Sequence, residues 1–467
     1  MKSNKQITTI VYIFLGLFVS MMLYFGYFQF IESERFIDSP YNSLQDLFSQ
    51  KVVRGEIKTA DGVVIAQTNV AEDGTETREY PYGGMFAHVV GYTSNGKMGL
   101  ESTSNFDLLR SHEFFINKIV NDIIGEKNIG DNVVTTLDFD LQQVAYEAIG
   151  YYDGAIIVLE PSTGKILAMI SQPAFNPNTI EEDWDTISGE DSSALFNRAT
   201  QGKYAPGSTF KIFTTLEYYR EHKDDYLNYS FDCTSAYSYD GSTIHCYDNK
   251  SHGTEDLMQS FANSCNASYA YIGTIIDKDK LDSLCDSLLF NKEIPVNFES
   301  GVSKFSLSNE DSVSLAMETC IGQGKTMVSP LHMAMIAGTI CNDGVCMKPY
   351  IVDHTENLNG ITVETTKPSE YGTLLAADEV ALLQELMRGV VTEGTATYLN
   401  SSEYEVYGKT GTAQRSTTTD EVNSWFVGYA KKDGYEDIAI AVVIEQSESS
   451  YGMAVPTARK VFDCYFQ

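Results

Sequence analysis

The sequence predicts a large α/β (α+β) domain carried on a small β-rich pedestal and a single transmembrane helix. Three observations predict it. Ile7–Phe28 is a mostly apolar run of about 22 residues, enough to span a bilayer core. From Arg54 to about residue 130 the chain reads as short strands with glycine-rich turns. From Val133 onward, strand-like runs alternate with helical patterns, with no recurring period that would mark a repeat protein. The boundaries drawn are a tail at 1–6, the anchor at 7–29, the pedestal at 30–132 and the larger domain at 133–467.

The anchor comes first. Lys2 and Lys5 precede the apolar run, and Glu32 and Glu34 follow it. The positive-inside rule then puts the first residues in the cytoplasm and the bulk of the chain outside. The run is too long for a cleaved signal peptide, and no small-x-small cleavage site follows. The net charge of −32 argues against nucleic acid, whose affinity rests on Lys and Arg. Residues 30–53 read as a helical or mixed linker. Arg54–Ala66 follows as a hairpin around Asp61-Gly62. Val133–Leu137 is strand-like, and Asp138 is placed to cap a helix over Asp138–Ile149.

Eight cysteines lie beyond the anchor. Cys233 and Cys246 flank a Tyr-, Ser- and Gly-rich loop and are the best candidate disulfide pair. Free buried thiols fit equally, since Cys285 and Cys320 sit in helix-like apolar runs. No paired Cys-x-x-Cys set occurs, which argues against zinc. The seven histidines are scattered and read as surface or structural residues.

The chemistry centres on Tyr204–Thr215. Pro206-Gly207 signals a turn, and a helix-compatible run begins after it, so Ser208 falls at the first helical turn and Lys211 shares its face. A serine hydroxyl needs an adjacent base, and a lysine with suppressed charge supplies one. Ser-x-x-Lys also occurs at Ser94/Lys97, in a loop, and at Ser162/Lys165, a turn between strand-like Ala155–Leu159 and Ile166–Ile170. Two further motifs follow Ser208/Lys211: Ser264-Cys265-Asn266 at a helix edge, and Lys409-Thr410-Gly411 with Thr412 in an edge-strand setting. The two Gly-Lys-Thr runs are not phosphate loops, because Thr319 and Glu403 stand where the first glycine is required. No Gly-x-Ser-x-Gly elbow or His-Glu-x-x-His site is present.

Ser-x-x-Lys, Ser-x-Asn and Lys-Thr-Gly in this order resemble the penicillin-recognising serine acyl transferases. Within them the chain resembles the class B penicillin-binding proteins, monofunctional peptidoglycan D,D-transpeptidases, over nearly its whole length. Arg54-Gly55, Gly99-Leu100-Glu101, Leu195–Ala199, Gly322-Gln323-Gly324 and Met387–Val391 look like landmarks of that class. Cys265 is a departure at a position that varies in the class.

The resemblance implies roles. Ser208 attacks the D-Ala-D-Ala carbonyl of a stem peptide. Lys211 is the base, held neutral by Lys409 and burial, and Ser264 relays the proton. Asn266, Lys409, Thr410, Gly411 and Thr412 bind substrate, Asn266 by a hydrogen bond to the donor's backbone amide or else to Lys211, with the N–H groups of Ser208 and Thr412 as the oxyanion hole. No cofactor or metal is implied. The acceptor is an amine on a second stem peptide, and a β-lactam is a covalent inhibitor. Residues 30–135 leave no room for a glycan-polymerising domain, so a multi-spanning polymerase partner is expected. The alternatives are a D,D-carboxypeptidase, a β-lactamase, a β-lactam sensor and a non-catalytic wall-synthesis scaffold. Anchor, pedestal and intact motifs favour the transpeptidase.

Overall fold

The structure is a computed structural model that describes residues 2–28, 50–414, 421–447 and 453–467. The first helix, α1 (Lys2–Tyr27), contains one segment, Ile7–Tyr27, long and apolar enough to cross a membrane. Most of the linker expected at 30–53 lies outside the described residues.

The Asp-Gly hairpin forms as expected. Strands β1 (Ile57–Lys58) and β2 (Val64–Val70) run antiparallel, and Gly62 at φ +84° closes the turn by donating its N–H to the Thr59 carbonyl. Strand β3 (Glu76–Glu79) adds to β2, and β4 (Asn132–Thr135) pairs parallel with β1. The Asp138 carboxylate accepts the Leu141 N–H at 2.8 Å and caps α2 (Phe139–Ile149). Strands β5 (Gly154–Leu159) and β6 (Ile166–Gln172) form the hairpin read from Ser162–Lys165, with Gly164 at φ +85°.

Further along come α3 (Lys211–Glu221), two small antiparallel pairs from β7 (Phe231–Cys233), β8 (Ala236–Tyr239), β9 (Ser242–His245) and β10 (Gly253–Glu255), and helices α4 (Leu257–Ala262) and α5 (Asn266–Ile275). Helix α6 (Pro330–Cys341) is buried along its whole length. Strands β11 (Val352–Glu356) and β12 (Thr362–Thr365) precede α7 (Ala377–Thr392). The chain ends with β13 (Glu405–Gln414), β14 (Val422–Lys431), β15 (Ile438–Ser447) and α8 (Ala454–Tyr465).

Two large sheets organise these elements. One has the order β12-β11-β4-β1-β2-β3, so it draws strands from both sides of the boundary expected at 132/133. The other, β13-β14-β15-β5-β6, is the core of the larger domain. Its middle strands are apolar on both faces because each face is covered. Ala439 of β15 faces Gly338 of α6, and Phe426 of β14 meets Phe462 of α8 edge-on. Ala439 and Val442, the partner of Phe426, are three residues apart on one strand, so α6 and α8 cover opposite faces.

At the pedestal, Glu101 is fully buried between two arginines. Its carboxylate accepts from Arg54 Nε at 2.5 Å and Arg78 Nε at 2.7 Å. Arg54-Gly55 and Gly99–Glu101 are therefore two halves of one buried ionic link.

Candidate active site

Gly207–Phe210 forms one 3₁₀ turn that runs directly into α3. Phe210 and Phe213 hold it down, their rings packing against Phe290 at centroid distances of 6.2 and 5.1 Å. Gly207 sits at φ +53°, and a Cβ there would lie 2.5 Å from the Thr412 carbonyl oxygen. Its N–H donates to the Gly322 carbonyl at 2.9 Å, and a Cβ on Gly322 would come within 1.7 Å of the Gly207 carbonyl. The two glycines thus let three chain segments meet at backbone distance. Trp425 adds a tie by donating its indole N–H to the Ala205 carbonyl at 3.1 Å. Ser208 is half-buried on this turn, and the Lys211 backbone N–H donates to its carbonyl, so the two residues share one turn.

Lys211 is fully buried, and its ammonium reaches the second motif. Nζ donates to the Ser264 carbonyl at 2.7 Å, the Ser264 hydroxyl at 3.2 Å and Asn266 Oδ1 at 2.8 Å. The Tyr269 ring lies 5.1 Å from it. The two Ser264 acceptors come from the three-residue break between α4 and α5, where Ser264 holds φ +57°, an uncommon conformation for a residue with a side chain, and Asn266 opens α5. The Asn266 amide is oriented by donating to the His245 carbonyl at 3.1 Å.

Burial lowers Lys211 to about 8, against a smaller opposing pull from Cys265, Cys246 and Glu255. The contacts suit both protonation states. The charged amine has three hydrogens for three acceptors. The neutral amine keeps two for the carbonyl and Asn266, and its lone pair accepts from the Ser264 hydroxyl.

Strand β13 is the edge of the five-stranded sheet and presents the third motif. Lys409 is buried, with the Phe261 ring 5.6 Å from Nζ, and burial followed by the Lys211 charge pushes its pKa well down. Gly411 lets the nucleophile turn approach, since a Cβ there would lie 2.9 Å from the Pro206 carbonyl. Behind the strand, Arg388 of α7 donates to the Val406 carbonyl at 2.9 Å. The segment after α7 ties motifs together. The Thr395 N–H donates to the Ala262 carbonyl at the end of α4, and its hydroxyl lies 2.6 Å from the Thr410 hydroxyl.

Upstream, Arg198 pairs with Glu445 of β15 at 2.7 Å, and the Tyr204 hydroxyl donates to the same carboxylate at 2.9 Å. The eight residues singled out in the sequence therefore lie on three converging pieces: the turn with the first residue of α3, the helix break with the first residue of α5, and one edge strand.

Residues 154–463 match the model of the penicillin-binding protein transpeptidase domain. That span is most of the chain. The protein belongs to this family. Residues 54–133 match a second model, the penicillin-binding protein A dimerisation domain. The peptidoglycan D,D-transpeptidase PbpA of Mycolicibacterium smegmatis is 29% identical over 89% of each chain. The D,D-transpeptidase domain of a peptidoglycan glycosyltransferase from Eggerthella lenta is 31% identical, with a TM-score of 0.77 over 89% of this chain and 98% of that one. The penicillin G acyl-enzyme complex of penicillin-binding protein A from M. tuberculosis is 26% identical, with a TM-score of 0.79 over 89% and 100%.

Among the penicillin-binding protein landmarks, Gly322 and Arg388 now have physical jobs: one supports the nucleophile turn and the other supports β13. Sequence reading missed Thr395, Tyr269 and Glu445. Gly394-Thr395 had one signal, a glycine at the end of an amphipathic helix. A Cβ on Gly394 would lie 2.2 Å from the Ala262 carbonyl.

The sequence left the cysteines open between a Cys233–Cys246 disulfide and free buried thiols, and all eight are free thiols in the structure, seven of them buried. Cys233 and Cys246 bring their sulfurs to 3.6 Å without a bond. Cys265, inside the second motif, places its sulfur 3.7 Å from that of Cys246, and His252 Nδ1 lies 3.4 Å from the Cys233 sulfur. His252 is therefore not an isolated surface residue. The missing Cys-x-x-Cys pairs do not exclude a metal, because folding brings the ligand atoms of these four residues within 4.8 Å of one another.

Proposed function

We propose that the protein is a peptidoglycan D,D-transpeptidase that works through a Ser208 acyl-enzyme and is acylated by β-lactams in the same way. The observation that carries this reading is Lys211. It stands one turn after Ser208 with its charge suppressed, and it is hydrogen-bonded to Ser264 and Asn266 beneath an edge strand that bears Lys409-Thr410-Gly411.

The donor stem peptide docks along β13 as an added strand, its terminal carboxylate held by Lys409 and Thr410. Ser208 Oγ loses its proton to neutral Lys211 as it bonds to the penultimate D-Ala carbonyl carbon. The oxyanion is met by the N–H groups of Ser208 and Thr412, which the Gly207–Thr412 contact keeps together. Lys211 then returns the proton through Ser264 to the departing D-Ala nitrogen as the C–N bond breaks. An amine of a second stem attacks the ester, forms the crosslinking amide and frees Ser208. A β-lactam enters by the same attack, but its opened ring leaves no separate fragment to depart.

The anchor is read as a single span with its N-terminus inside, because Lys2 and Lys5 flank one end and Glu32 and Glu34 the other. The division at 30–132 and 133–467 is functional, with the shared sheet as the joint. A multi-spanning glycan polymerase is the partner that contacts anchor and pedestal. Detergent purification that preserves other membrane complexes yet recovers no such protein contradicts that partner.

The activity is tested with the full chain in detergent, a peptide ending in D-Ala-D-Ala and an amine acceptor. The expected result is Ser208-dependent release of D-Ala with transfer to the amine. Release to water alone, unaffected by the amine, makes the protein a carboxypeptidase instead.

A further inference from the structure

We propose that Cys233, Cys246, His252 and Cys265 form a tetrahedral zinc site that braces the second catalytic motif. Their ligand atoms all lie within 4.8 Å of one another. With Zn–S bonds of about 2.3 Å and Zn–N of about 2.0–2.1 Å, tetrahedral coordination requires S···S edges near ~3.8 Å and S···N edges near ~3.6 Å. The observed distances are 3.6 and 3.7 Å between sulfurs and 3.4 Å from sulfur to Nδ1. A disulfide requires about 2.05 Å and joins only two of three sulfurs. Three thiols and one imidazole make a Cys₃His set, the ligand chemistry of closed structural zinc sites.

The surroundings suit bound thiolates. The Ala267 N–H points at the Cys246 sulfur and the Ser268 N–H at the Cys265 sulfur, each at 3.4 Å. Both donors belong to the first turn of α5, a ten-residue helix whose N-terminus favours negative charge. The Ser251 hydroxyl donates to the Cys233 carbonyl at 2.7 Å and fixes the loop that carries His252. Such outer contacts orient metal ligands and raise their affinity. All three cysteines are buried and His252 is half-buried, so the imidazole side gives an ion its route in.

The site has a consequence that rests on the transpeptidase reading. Cys265 lies between Ser264 and Asn266, and both neighbours hold Lys211. A metal on the Cys265 sulfur pins the helix break to the β7–β10 strands and holds Ser264 at its uncommon φ. Metal loss then loosens the Lys211 acceptors without touching Ser208.

The test uses the full chain in detergent, purified without a histidine tag or chelator from zinc-supplemented cells. Elemental analysis is expected to find about one zinc per chain, falling more than tenfold in Cys246→Ser and His252→Ala. Because those variants test folding as well, the wild-type chain is also stripped, kept reduced and given Co²⁺. Tetrahedral visible bands with thiolate charge transfer are expected, as is their loss on adding Zn²⁺.

Penicillin acylation is expected to drop at least about tenfold on stripping and to return with Zn²⁺, a rescue that a merely structural cysteine does not give. Zinc at background level with no Co²⁺ spectrum overturns the site, as does a denatured thiol count that is two short. Full zinc with no acylation even in the loaded enzyme leaves the site standing and overturns the transpeptidase reading instead. Full zinc with acylation unchanged on stripping overturns the bracing role.

Discussion

At the residue scale the chemistry centres on Lys211. Its folded pKa of about 8 lies below the ordinary 10.5, because burial penalises the charged amine. Acylation by a penicillin should therefore rise with pH and reach half its maximum near 8, followed by stopped-flow on the full chain. The unfolded chain holds this proton up to about 10.5, so between the two values it binds more protons than the folded one. This group's contribution to stability consequently rises with pH across that window. Lys211→Arg keeps the charge throughout and is expected to slow acylation by about 10²–10⁴-fold at all pH values. The lysine was legible because Ser208 and Lys211 are three residues apart, a spacing that a helix converts directly into contact. Thr395, His252 and Cys265 were not legible as partners, since each meets its neighbours only through tertiary folding.

At the element scale the nucleophile turn depends on backbones that touch. Gly322→Ala would place a carbon 1.7 Å from the Gly207 carbonyl, so the turn must shift. A displacement of about 1 Å in the reacting geometry costs on the order of 10²-fold, and that loss of acylation rate is expected with the circular dichroism of the fold retained. An unchanged rate would show that the turn does not depend on this support. Hairpins and caps were legible because their signals are local: Asp61-Gly62, Ser162–Lys165 and the Asp138 carboxylate all formed as read. The six-stranded sheet was not legible. Its strand β11 pairs with β4 across more than two hundred residues, with Thr355 opposite Val133, and no short-range pattern encodes that choice.

At the scale of the whole molecule, the pedestal is locked by the buried Arg54–Glu101–Arg78 link. Burial alone would push the Glu101 carboxyl up, but the two guanidinium groups outweigh it and hold it below the usual range. Its stabilising effect is therefore present above the unfolded carboxylate range and lost as pH falls through its lowered value. Glu101→Ala leaves two buried cations facing each other and is expected to cost about 3–5 kcal/mol in urea unfolding of the full chain in detergent. A cost under about 1 kcal/mol would mean that the arginines find other partners. The apolar N-terminal helix, the ordered motifs and the class of the larger domain were all legible in the chain. The joint between the two units was not, because it is built from both.

Whether Ser208 is the nucleophile is decided by the intact mass of the full chain in detergent after exposure to a penicillin, beside Ser208→Ala. A lasting adduct of one drug mass on the wild type, absent from the variant, is the result this account predicts. Rapid drug hydrolysis without an adduct, or an adduct that persists on Ser208→Ala, would contradict it.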